Sequence, residues 1–104
     1  MGNPFTLLRV SFGPHGERWS SLGPMGPHGE SCLAVGLRRS CAALEQYVPH
    51  GTVYTDARAL IYRVLEAKGI RYSMSSWNDS PTTEWSDIRW LVDECESQWE
   101  LTHD

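Results

Sequence analysis

Cys32, with His28 and Asp79, is the set of residues in this 104-residue chain whose types fit nucleophilic chemistry. Cys32 stands where an apolar helical pattern begins, and a thiol at a helix N-terminus is pushed toward thiolate by the helix dipole. A cysteine nucleophile also needs a base, usually histidine, oriented by Asn or Asp. His28 and His50 offer the base, and Asn78 and Asp79 the orienting group. The chemistry would be that of a small cysteine-dependent hydrolase, and Cys32→Ser would abolish it. No local signature of a cysteine hydrolase family surrounds Cys32, so this is the second reading of the chain. His15, His28, Cys32 and Cys41 also contain metal-ligand types, but only His28-x3-Cys32 brings two close, whereas zinc sites show paired close ligands. We therefore expect no metal and no cofactor. Phosphate-cradling glycine motifs, H-E-x-x-H and EF-hand loops are all missing from the sequence.

A second kind of chemistry is recognition. The chain has five tryptophans, and a small domain has room in its core for about three, each burying ~150–250 Å². The last segment is also acidic. Residues 84–104 carry seven carboxylates against Arg89 alone, whereas residues 1–83 have a net charge of +2 within a total of −4. Trp90 stands beside Asp93, Glu94, Glu96 and Glu100 in that segment, and an exposed Trp among carboxylates is a protein-binding signature. The acidic balance disfavours nucleic acid as a partner.

Three helices are expected to position these groups. The first runs from Ser31 to about Tyr47, with Leu33, Leu37, Cys41 and Leu44 as its apolar stripe. Gly36 inside that stripe costs ~1 kcal/mol relative to alanine, which points to a close helix contact. The second helix is capped by Thr55, buries Leu60, Ile61, Val64 and Leu65, and stops at Lys68-Gly69. The third starts near Thr83, and Trp85, Ile88, Val92, Cys95 and Trp99 make its apolar seam, with Trp90 off it. Two segments alternate as half-buried strands do: 5–12 (Leu8, Val10, Phe12) and 70–77 (Ile70, Tyr72, Met74). Between the first strand and the first helix, Gly13-Pro14-His15-Gly16-Glu17 recurs unchanged as Gly26-Pro27-His28-Gly29-Glu30, around Gly23-Pro24. Gly-Pro and His-Gly are turn chemistry.

The expected architecture is α+β: one domain over 1–104, with three helices packed on a small antiparallel sheet. Residues 1–31 form a Gly/Pro-rich strand and loop segment, and residues 32–100 a helix-helix-strand-helix core. Met74 and Trp77 complete the core. Trp77, Asn78, Asp79 and Pro81 form a structural turn in which Asn and Asp bind backbone amides.

Cys32-Leu-Ala-Val-Gly-Leu and Trp77-Asn78-Asp79-Ser80-Pro81, with Arg18-Trp19 and Gly23 upstream, resemble a family of small proteins of unknown function from actinobacteria and their phages. The resemblance covers about residues 18–95. It implies a fold and an origin without an activity. Eight arginines against one lysine, and only two asparagines, suit a GC-rich genome.

Three cysteines and no apolar leader suggest reduced thiols in the cytoplasm. No run of ~18 apolar residues is present, so no membrane span is expected. The function expected is a non-enzymatic, protein-binding accessory or phage-encoded modulator. It acts through Trp90, Asp93, Glu94, Glu96 and Glu100 on another protein (a host protein, if phage-encoded). Homodimerisation through the third helix is a further expectation.

Overall fold

The structure, a computed structural model, describes residues 2–21, 30–46 and 52–103. Within them the chain forms five helices: α1 Pro4–Phe12, α2 Leu33–Glu45, α3 Thr52–Ala67, α4 Met74–Asp79 and α5 Trp85–His103. Each of α1, α2, α3 and α5 packs on two of the others, closing a ring, and α4 sits against α2. The described residues contain no strand. A single isolated parallel bridge joins Trp19 to Ser31. The expected α+β fold with an antiparallel sheet is therefore overturned in favour of an all-helical one.

Both expected strands fail for local reasons. Asn3 caps α1 by accepting the Phe5 amide at 3.0 Å, and Pro4 occupies the first helical position, where its missing N–H costs nothing. Phe5, Leu8 and Phe12, spaced three and four apart, are fully buried, whereas Val10 is 66% exposed. The alternation of Leu8, Val10 and Phe12 is thus a by-product of an i, i+4 pair. In 70–77, Ser73 caps α4 by accepting the Ser76 amide at 3.1 Å. Met74 and Trp77 turn inward three residues apart, and Tyr72 is left exposed.

Three helix starts also move. Cys32, not Ser31, caps α2, which ends at Glu45. α3 begins at Thr52, so Thr55 lies inside the helix rather than capping it. Glu45 of α2 supplies an acceptor there, taking the Tyr54 amide at 2.8 Å. α5 begins at Trp85, and Asp87 accepts the Glu84 amide at 2.9 Å. The Lys68-Gly69 stop holds. Gly69 adopts φ 80°, and the Gly69 and Ile70 amides donate to the Glu66 and Leu65 carbonyls. Those two hydrogen bonds are the pair that closes a glycine-terminated helix.

The core combines Phe5, Leu8 and Phe12 with Leu33, Leu37, Cys41, the inner face of α3, Met74, Trp77, Ile88, Leu91, Val92, Cys95 and Trp99. Leu44 and Trp85 only pack against it as half-buried residues. Gly36 is where α1 side chains press directly on the α2 backbone. A Cβ there would lie 2.8 Å from Leu8 Cδ1 and 3.1 Å from the Phe12 ring.

Candidate functional site

The Trp77-Asn78-Asp79 segment forms a buried polar knot. Asn78 is fully buried. Its Oδ1 accepts the Trp19 indole N–H at 2.7 Å and the Leu33 amide at 3.0 Å. Its Nδ2 donates to the Ser20 carbonyl at 2.9 Å and to Asp79 Oδ1 at 3.0 Å. All four bonds an asparagine side chain makes are filled. One side chain thereby ties α4 to the start of α2 and to the loop that enters it. Trp77 closes the core beside it, while Asp79 and Pro81 stay exposed.

Cys32 is next to this knot and is buried, 5% exposed. Its Sγ accepts the Val35 amide at 3.5 Å, so the thiol is engaged as a helix cap. His28 and His50, the proposed bases, lie outside the described residues, as does most of the second Gly-Pro-His-Gly-Glu copy. Cys41 and Cys95 are also free, buried thiols, and burial pushes both up to about 12. The charges of Glu45 and Glu94 add to that shift. No described group of His, Cys, Asp and Glu has a metal-holding arrangement.

The α5 residues expected to bind a partner do not share one face. Trp90 is half-buried and faces α3 in a groove of about 400 Å³, with Lys68, Arg63, Glu94 and Gln98 on its walls. The Lys68 ammonium sits 4.7 Å from the Trp90 ring centroid, a cation–π contact. Gln98 donates to Glu94 at 3.1 Å, one turn along the groove. Asp93 is exposed and meets Arg89 at 3.7 Å. Glu100 faces the other way, beside Thr6, Leu7 and Leu44.

No family model, curated protein or solved structure matches this chain.

Glu96 is committed inside the molecule, which the sequence did not reveal because its partners lie about 90 residues away. It accepts the Thr6 hydroxyl and the Arg9 guanidinium, the latter at 2.9 Å, and so fastens α1 to α5. Asn3 reinforces the joint by donating to the Glu96 carbonyl. The Arg9 hydrogen bond holds the Glu96 carboxyl below the usual carboxylate range, aided by Thr6 and by the Arg9 charge, against the opposing effect of partial burial. A carboxyl depressed by folding stabilises the native state above its unfolded pKa, and that stabilisation is lost as pH falls through the folded value. Glu96→Gln is expected to remove this part of the acid sensitivity. Urea unfolding of the two proteins should differ by roughly 0.5–1 kcal/mol at pH 7 and converge toward pH 3. A difference that grows on acidification would refute the assignment.

Proposed function

We propose that this protein is a non-enzymatic binding module that acts on another protein through the groove between α3 and α5, with Trp90 as its anchor. The observation that carries this is the placement of Trp90. A large, rigid aromatic is kept half-exposed at a groove mouth, with Lys68, Arg63 and Glu94 around it to set orientation. Interfaces place their strongest contacts on such aromatics inside a polar rim. Asp93, exposed one residue before Glu94, adds acidic surface beside the groove, whereas Glu100 lies on the α1-facing side of α5 and is no part of it. Glu96, tied to Thr6 and Arg9, supports α5 from within.

The resemblance to small actinobacterial and phage proteins fits a modulator of a host protein working in the cytoplasm. No described helix is long and apolar enough to cross a membrane. Cys32 is used as a cap, and no observation favours the hydrolase reading over binding.

The test is affinity capture from an actinobacterial lysate with the wild type and with a Trp90→Ala/Glu94→Ala variant, whose helicity is checked by circular dichroism. One protein held by the wild type and lost by the folded variant is the expected result. Equal capture by both overturns the assignment of this surface. Sedimentation velocity on the same pair separates a foreign partner from self-association, since a dimer broken by the double substitution would make a second copy the partner.

A further inference from the structure

Arg58, Tyr62, Arg71 and Tyr72 take no part in the surface just proposed, yet they line an open pocket of about 470 Å³ where α3 passes to α4. It shares no residue with the Trp90 groove. Two guanidiniums face one carboxylate here, Glu66, within a chain of net charge −4. The ion pairs among the described residues engage Arg9, Arg89 and His103, and leave Arg58 and Arg71 without a carboxylate.

The site is partly pre-set. The Tyr62 hydroxyl accepts the Met74 amide at 2.9 Å, which fixes the ring. The Arg58 guanidinium lies 4.9 Å from that ring's centroid. Stacking engages the flat face of a guanidinium and leaves its in-plane N–H donors available. Tyr72, in the turn just after Gly69, is 66% exposed, an open aromatic surface with no packing duty in the core.

We propose that this pocket binds a small phosphomonoester whose molecule also bears a planar aromatic ring. Arg58 and Arg71 take the phosphate oxygens, Tyr72 stacks on the ring, and Glu66 accepts from hydroxyl or amino groups where the ligand has them. A phosphate dianion suits the site better than a carboxylate. Its three acceptor oxygens use both guanidinium forks, and its charge outweighs the repulsion from the single Glu66. A nucleoside monophosphate and a simple aryl phosphate share this chemistry, and Glu66 distinguishes them.

The experiment is a titration of the ¹⁵N-labelled full chain, at fixed ionic strength, with phenyl phosphate, 5′-AMP and inorganic phosphate, followed through the backbone amides of 70–74. Saturable shifts are expected with both phosphomonoesters, and binding about fivefold weaker with inorganic phosphate, which has no ring to stack. Arg71→Gln, at an exposed turn, should weaken binding about tenfold, and Arg58→Gln likewise. Tyr72→Ala should cost the ring-bearing ligands about fivefold and inorganic phosphate nothing. Glu66→Gln removes a like charge and should tighten phenyl phosphate, with a smaller gain for 5′-AMP because its ribose hydroxyls exchange a charged acceptor for a weaker neutral one. Absence of saturation at millimolar ligand overturns the proposal. So does equal affinity for inorganic and phenyl phosphate, or binding unaltered in both arginine variants.

Discussion

Replacing Asn78 by alanine is expected to destabilise the protein by about 3 kcal/mol and to lower Tm by roughly 15 °C. The loss comes from what the side chain leaves behind. The Trp19 indole N–H, the Leu33 amide and the Ser20 carbonyl each lose a partner at once. The buried Leu33 amide, orphaned away from water, costs ~1–3 kcal/mol, and the half-buried Trp19 and Ser20 groups add less because water reaches them. Asn78→Asp keeps both acceptor positions but cannot donate to Ser20. It also sets a buried carboxylate against Asp79, so it should be at least as damaging at neutral pH and partly relieved by acid. Asp79→Ala is the control: its side chain is exposed and its one bond here is to Asn78, so a change within about 0.5 kcal/mol is expected. Urea unfolding of the three variants checks the ordering. An Asn78→Ala loss below that of Asp79→Ala would show that the knot does not hold the loop and α2 in place.

The helices α2, α3 and α5 were legible in the sequence because each carries an apolar stripe long enough to fix its period. Leu33–Leu37–Cys41, Leu60–Ile61–Val64–Leu65 and Ile88–Val92–Cys95–Trp99 are all buried. Leu91 is buried although it lies beside the Ile88–Val92–Cys95–Trp99 seam, because a core-facing stripe is at least 100° wide. In α1 the alternation of Leu8, Val10 and Phe12 arises from a helical i, i+4 pair, whereas at 70–77 only Met74 of the alternating residues lies in α4, and Ile70 and Tyr72 belong to the connection before it. The deciding signals were local: Asn3-Pro4 before one helix and the Ser73 cap before the other. Reading caps ahead of alternation would have found both. Trp90 stood out by lying off the seam, and the structure places it at a groove. What no local reading reaches is the tertiary pairing. Glu96 finds Arg9, Asn78 finds Trp19 and Leu33, and Arg58 and Arg71 meet at one pocket only once the helices have packed.

Gly36→Val is expected to cost about 3 kcal/mol, because the α1–α2 contact has no room for a branched side chain. A Cβ at 36 would already lie 2.8 Å from Leu8 Cδ1 and within 3.2 Å of the Phe12 ring. Leu8 and Phe12 are fully buried, and Phe12 is held on its other side by edge-to-face contact with Trp85 at 5.9 Å, so neither side chain has free space to move into. Gly36→Ala sets two effects against each other. The helix gains about 1 kcal/mol of propensity, and the methyl group displaces Leu8 by a few tenths of an ångström. We expect a small net loss, under about 1 kcal/mol. The separation between Ala and Val identifies crowding, since propensity alone would make both more stable than glycine. A double-mutant cycle then locates the contact. Leu8→Ala alone should cost about 3 kcal/mol through the cavity it opens. Combined with Gly36→Val it should cost at least about 1 kcal/mol less than the sum, because the valine fills that cavity. Strict additivity would mean that residue 36 does not meet Leu8, and that α1 is held on the bundle by its Glu96 joint to α5 rather than by close approach to α2.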